Sequence, residues 1–207
     1  MSESPQVDRS HYEFQRYVSR ERWASLWHQL DETLQLAPAR VLEVGPGPGI
    51  FKAVAGRFGV SVETIDVDPE LRPDHVGSAT AMPFPDGAYD MVCAFQMLEH
   101  LPYDLSLRAF REMARVARSH VVISLPDARP AVPVAVYVPR LGMRRWLLPI
   151  PSLRLAPHQF DGEHHWEVNK RGFSLGKVCA DLTAVCSLVK TYRVHDLPYH
   201  RFFVFRR

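Results

Sequence analysis

Residues 41–49, Val-Leu-Glu-Val-Gly-Pro-Gly-Pro-Gly, constrain the fold of this chain more than any other stretch. Val41, Leu42 and Val44 suit a buried strand. Gly45, Gly47 and Gly49 then turn the chain, and Phe51–Phe58 can begin a helix. A strand running through glycines into a helix brings bare backbone N–H groups close to a bound ligand. Two details narrow that ligand. Glu43 places an acid inside the strand's end, where it repels phosphate and suits a positive ammonium. The dinucleotide fingerprint G-x-G-x-x-G fails by one residue, because the third glycine comes early and Ile50 stands in its place. Pro46 and Pro48 stiffen the turn by fixing φ.

A length of 207 residues suggests one α/β domain over 1–207 with room for a substantial core. The apolar share of 46% and charged share of 23% are those of an ordinary globular protein. A formal charge of +2 is too small to draw nucleic acid by field alone, so no nucleic-acid partner is expected. Cys93, Cys179 and Cys186 have no metal-ligand spacing, and Cys93 and Cys179 read as buried thiols of a reducing compartment. The polar start of the chain and the lack of a long apolar run lead to an expected cytoplasmic location, without a membrane span.

The periodicity gives a coarse map. Residues 1–10 read as disordered. A helical pattern runs from Tyr12 to Leu36, with Tyr17, Trp23, Leu26, Trp27 and Leu30 recurring on one side. Strands follow at Arg40–Val44, Val60–Ile65, near His75–Gly77, Tyr89–Phe95 and His120–Leu125, with helices to about Arg57 and over Leu105–Ala117. Helix Gly172–Leu182, strand Val185–Val194 and strand Phe202–Phe205 complete the chain. Alternating β and α units imply a parallel sheet with ligands at the carboxyl ends of its strands. Asp66 follows the second strand, where a carboxylate can accept hydrogen bonds from both ribose hydroxyls. Asp68 reads as the solvated one of the pair.

The loop of 45–49 resembles motif I of class I S-adenosylmethionine (SAM) methyltransferases. The stretch 76–101, with Met82-Pro83-Phe84, Asp86, Tyr89-Asp90 and Leu98-Glu99-His100-Leu101, resembles the methyltransferase-11 branch of that superfamily. The likeness covers roughly Val41–Pro126. It implies a Rossmann-like α/β fold, with a seven-stranded, mostly parallel sheet whose last strand is antiparallel, flanked by helices. It implies SAM as cofactor. Carried over by position, Glu43, Gly45, Pro46, Gly47 and Gly49 hold the amino-acid end, while Asp66 and Val67 meet the ribose. Ser78 and Ala79 border the adenine, Met82 covers its face, and Phe95 and Gln96 flank the methionine moiety. Ser78 stands where the branch usually has Asp, and a neutral acceptor is weaker than a charged one. Residues 1–38 correspond to an N-terminal helical lid, from which Arg16 or Tyr17 can approach the methionine carboxylate; packing on the sheet edge is the competing role.

Three histidines are candidate bases. Glu99 and His100 follow the fourth strand, where packing or capping competes with acid–base work. The stretch 158–167 concentrates His158, Asp161, Glu163, His164, His165 and Glu167 ahead of the helix before strand six, where class I enzymes build acceptor pockets. Adjacent histidines do not easily share one ion, and no pair has the i, i+4 spacing of a helical zinc site, so no metal is expected. His164 or His165 can take the proton of a hydroxyl acceptor, or orient it. Tyr199 and His200 lie in a late loop within reach of the acceptor. Residues 131–160 form a Pro-rich, basic and apolar insertion with Arg140, Arg144, Arg145 and Arg154 and no acid. It suits contact with an anionic or lipid-linked acceptor, peripheral membrane contact, or a dimer interface.

Together these readings point to a SAM-dependent methyltransferase acting on a small-molecule or glycan-type acceptor, at oxygen rather than nitrogen, as monomer or homodimer. Two other classes stand beside it. One is a SAM-binding partner protein without catalysis, and the other an NAD-dependent oxidoreductase.

Overall fold

The computed structural model of the chain describes residues 18–151 and 154–207. The expectations for residues 1–10 and for Tyr12, Arg16 and Tyr17 lie outside the described residues.

Among the described residues the chain opens with helix α1 (Arg20–Leu36), capped by Ser19, whose hydroxyl accepts from the Arg22 N–H at 3.1 Å. Strand β1 (Arg40–Val44), helix α2 (Ile50–Arg57), β2 (Ser61–Asp66), β3 (His75–Val76) and β4 (Tyr89–Phe95) follow. Helix α3 (Tyr103–Val116), β5 (Ala117–Pro126), α4 (Leu175–Thr183), β8 (Ser187–Arg193) and β9 (His200–Arg206) close the sheet. Seven strands lie in the order β3-β2-β1-β4-β5-β9-β8, the first five parallel. The last strand enters between β5 and β8, antiparallel to both.

The strands alternate their side chains between two apolar layers, as a sheet covered on both faces requires. Leu42, Val44, Val92, Ile123, Phe203 and Phe205 face one cluster, closed by Phe110 and Met113 of α3 and Val178 and Leu182 of α4. Val41, Met91, Cys93, Val122, Phe202 and Val204 face the other, under Leu26 of α1 and Phe51 and Ala55 of α2. The apolar side inferred for α1 is only partly used. Leu26 is buried, whereas Trp23 and Trp27 are 51% and 58% exposed.

The insertion is a second, two-stranded antiparallel sheet of β6 (Ala131–Val138) and β7 (Gly142–Pro149). Val132, Val134 and Val136 pair with Leu148, Trp146 and Arg144 on one face of this ribbon. Tyr137 and Trp146 are 67% and 50% exposed. Midway along β6 the His195 imidazole donates to the Val134 carbonyl at 3.2 Å. No helix among the described residues is long and apolar enough to cross a membrane.

Candidate functional site

The loop after β1 is registered to β2 by the Gly45 N–H, which donates to the Ile65 carbonyl at 3.0 Å. Gly45, Gly47 and Gly49 have φ of +70°, +53° and +71°, the left-handed region that glycine enters without penalty. At Gly45 a Cβ would stand 2.4 Å from Cγ of Met97, so both conformation and space demand glycine there. At Gly49 a Cβ would meet nothing within 4 Å, and the backbone alone sets the demand.

Glu43 points its carboxylate into the cleft beside this loop. It is buried, and its Oε2 has no hydrogen-bond partner. Burial pushes its carboxyl up to about 8, against the opposing pull of Lys52. A buried acid with an open acceptor is stabilised by an incoming cation.

The cleft runs from Glu43, Gly45 and Pro46 to Phe95 and Gln96 at the end of β4, with α1 as the facing wall through Arg22, Trp23, Leu26 and Gln29. Gln96 holds φ of +53°, unusual for a side chain with a Cβ. Its backbone N–H donates to the Ser124 carbonyl at 3.0 Å and its Nε2 to the Ser124 hydroxyl at 3.1 Å, which fixes that conformation. His200 of β9 closes the far side. Burial first, then Arg22 and His164, hold its imidazole down to about 3, so it is neutral.

The remaining residues assigned to the cofactor lie around the ends of β2 and β3, outside this cleft. Asp66 accepts from the Asp68 N–H at 2.9 Å, and burial raises its carboxyl above the usual range. Val67 beside it is half-buried. Asp68, expected to be solvated, is buried and caps the turn Pro69–Leu71, accepting from the Glu70 N–H at 2.9 Å. Ser78 accepts from the Thr80 N–H at 3.0 Å. Ala79 and Met82 pack in the core cluster with Leu42 and Ile65.

A polar cluster forms where the segment 158–167 crosses the turn Leu98–His100. Two bonds pin it there: the His165 N–H donates to the Glu99 carbonyl at 2.9 Å, and the Trp166 indole donates to the Ser106 hydroxyl at 2.9 Å. Asp127, fully buried, accepts from Arg201 at 2.7 Å and Asn169 at 2.9 Å and ties the next residues to β5 and β9. His100 and His164 are thereby brought to a ring-centroid distance of 5.1 Å. Tyr199 donates to Oε1 of Glu167 at 2.7 Å, and the same oxygen lies 3.3 Å from Nδ1 of His164. His165 turns away and stacks on Phe160 at 4.6 Å. Glu99 is 0% exposed with both carboxylate oxygens unpartnered. Burial, reinforced by the Glu167 charge, raises its carboxyl to about 8. Two triads in this cluster, Glu99–His100–His164 and Asp161–His164–Glu167, bring one possible ligand atom each within 4.8 Å of the others.

The sequence singled out His100, His164 and Glu43, and the structure places each at a polar centre. It did not single out the Glu167–Tyr199 pair, Arg22 or Ser25. Glu167 stood out among the acids and histidines of 158–167 and Tyr199 in a late loop, but nothing in the sequence joined the two.

A methyltransferase-domain family matches residues 14–175. An uncharacterized methyltransferase of Mycobacterium sp. (strain JLS) is 36% identical over 107 residues, covering 46% of this chain and 40% of that one. The chain thus spans less than half the length of that curated relative. The SAM-dependent methyltransferase of Mesorhizobium loti superposes with a TM-score of 0.62 at 18% identity, over 90% of this chain and 100% of that one. The 1,6-didemethyltoxoflavin-N1-methyltransferase of Burkholderia thailandensis, solved with S-adenosylhomocysteine, gives 0.61 at 18% identity, over 96% of this chain and 84% of that one. The chain belongs to the methyltransferase-domain family.

Proposed function

We propose that this member of the methyltransferase-domain family binds SAM at the carboxyl ends of β1 and β2 and transfers its methyl group to a hydroxyl of a small-molecule or glycan-type acceptor. The observation that carries the reading is the unpartnered, buried Oε2 of Glu43 beside three left-handed glycines. A phosphate-bearing dinucleotide has no use for that acid, and the ammonium of SAM does.

In this reading Glu43 and the Gly45–Gly49 backbone hold the amino-acid end, with Phe95 and Gln96 beside the methionine moiety. Asp66 meets the ribose, and Val67, Ser78 and Ala79 border the adenosine. Met82 supports the adenine side from within the core. Helix α1 acts as a wall of the cleft, and residues 1–38 as a lid that includes Tyr17. SAM supplies a methyl group on a sulfonium, a carbon that needs little from the protein beyond alignment and exclusion of water.

An oxygen acceptor must also lose a proton, and the cluster of His100 and His164 beyond His200 supplies the groups that accept it. Glu167 holds Nδ1 of His164 and so leaves the ring's other nitrogen as the basic one. His165, stacked on Phe160, serves acceptor orientation rather than proton transfer. The acid-free ribbon β6–β7, with Arg140, Arg144 and Arg145, favours an anionic or lipid-linked acceptor. The three cysteines are unpaired thiols, which supports a cytoplasmic setting.

Calorimetric titration with SAM, S-adenosylhomocysteine and NAD tests the cofactor. Binding of NAD in preference to SAM would refute the reading. Methyl transfer followed by mass spectrometry over a panel of hydroxylated metabolites and glycans tests the rest. Tight SAM binding with no transfer to any of them would favour a non-catalytic SAM-binding protein.

A further inference from the structure

We propose that Glu99, His100 and His164 form a binding site for a divalent first-row transition-metal ion. The spacing rule for helical zinc sites does not find this set, because its members are split between the turn Leu98–His100 and a segment more than sixty residues later. The fold brings one donor atom from each within 4.8 Å of the others. Ligands at about 2.1 Å from one ion stand about 3.4 Å apart in a tetrahedral shell. From the 4.8 Å limit a closing of about 1.4 Å, shared between side chains, completes the set.

Three observations favour an ion here. First, Glu99 is 0% exposed, and both of its carboxylate oxygens lack a hydrogen-bond partner. Buried carboxylates are otherwise paired, hydrogen-bonded or bound to metal. No arginine or lysine is paired with Glu99 among the described ion pairs; Lys170 stands 3.9 Å from Glu167 instead.

Second, each imidazole has one ring nitrogen engaged by an oxygen acceptor, as metal-bound imidazoles usually do. Nδ1 of His100 lies 3.1 Å from the Glu163 carbonyl, which can only accept, so this nitrogen carries the proton and Nε2 carries the lone pair. Nδ1 of His164 is engaged in the same way by Glu167, itself fixed by Tyr199.

Third, the alternative triad is already satisfied. Asp161 accepts from the backbone N–H groups of Glu163 and His164, and Glu167 accepts from Tyr199. The carboxylate of Glu99 is therefore the acid of the two sets that is short of a partner. Two imidazoles with one carboxylate suit zinc, manganese, iron or cobalt better than magnesium or calcium, and leave positions open for another oxygen ligand.

The role of the ion rests on the methyl-transfer reading, whereas its binding does not. Bound to the acceptor hydroxyl, the ion lowers the pKa of that group, the proton passes to solvent, and the oxygen lone pair forms the new C–O bond as the C–S bond of SAM breaks. His100 and His164 then act as ligands rather than as bases.

The test uses the full chain stripped with EDTA and titrated with Mn²⁺, followed by electron paramagnetic resonance, and with Zn²⁺, followed by calorimetry and thermal midpoint. One ion per chain is expected in the wild type. Glu99→Gln and His164→Ala each should weaken binding at least tenfold and abolish the rise in midpoint, whereas His165→Ala keeps both. No binding of either ion by the wild type, or Glu99→Gln binding as tightly as wild type, overturns the site. SAM titration of the same stripped protein reads the cofactor assignment separately: SAM bound without metal leaves that assignment standing, with His164 a free base. If metal binds and EDTA leaves methyl transfer unchanged, the role in acceptor activation is overturned.

Discussion

The Ser25 hydroxyl lies 2.8 Å from Nδ1 of His200, joining α1 to the last strand at the wall of the cleft. Both groups are buried, and the bond spans 175 positions of sequence. Ser25→Ala leaves the imidazole nitrogen unsatisfied in a dry site, which should destabilise the fold by about 1–3 kcal/mol. Urea unfolding of the two proteins measures it; an unchanged midpoint would show that Ser25 does not support His200.

His200 also gives the protein an acid-sensitive fold. Its pKa falls from 6.5 to about 3 on folding, so between those values the unfolded chain binds a proton that the native chain refuses. Its contribution to stability is therefore full above pH 6.5 and declines as pH falls toward 3, while Glu43 and Glu99, both raised to about 8, act in the opposite sense between about 4.5 and 8. Glu63, held down to about 2 by Arg40 first and then His75 and Tyr89, adds a second loss below 4.5. Thermal midpoints across pH 3–8 should therefore differ between wild type and His200→Gln, the variant lacking the acid-side loss that His200 adds between about 6.5 and 3.

The carboxyl of Glu43 is protonated below about pH 8 in the free protein and must ionise to pair with an ammonium. SAM affinity should then rise by up to about tenfold per pH unit from 6 to 8. Glu43→Gln should bind more weakly at pH 8 and lose that dependence. Calorimetry at several pH values decides, and a flat profile for the wild type would place the ammonium elsewhere.

Gly45→Ala combines a left-handed φ with a Cβ 2.4 Å from Cγ of Met97. A loss of about 1–3 kcal/mol in stability is expected, with a larger loss of SAM affinity. Gly49→Ala, with open space around its Cβ, should cost less. Equal effects of the two would mean that the Met97 contact relaxes freely.

In the ribbon, Arg144→Glu with Arg145→Glu reverses the charge of a segment that carries no acid. If the ribbon receives an anionic acceptor, KM for that acceptor should rise about tenfold while SAM affinity stays unchanged. Steady-state kinetics on the methylated substrate reads both, and an unchanged KM removes the ribbon from acceptor binding.

Local pattern carried the sheet. The apolar runs of β1, β4 and β5 and the glycines between β1 and α2 are legible because period and turn chemistry are properties of a few neighbouring residues, whereas the antiparallel last strand follows from the family likeness. The two strands of the ribbon are not evident from sequence, although Val132, Val134, Val136 and Val138 alternate as a strand does, because proline-rich composition masks the period. Glu43, His100 and His164 were visible as residue types at suggestive places. The sequence by itself determined the Rossmann-like frame and the acid at the tip of its first strand. Only the tertiary structure decided that Glu99 is buried without a partner, that Glu167 and Tyr199 orient His164, and that Ser25 meets His200. Those relationships join residues far apart in the chain, and their energies depend on distance and exclusion of water, which no local spacing encodes.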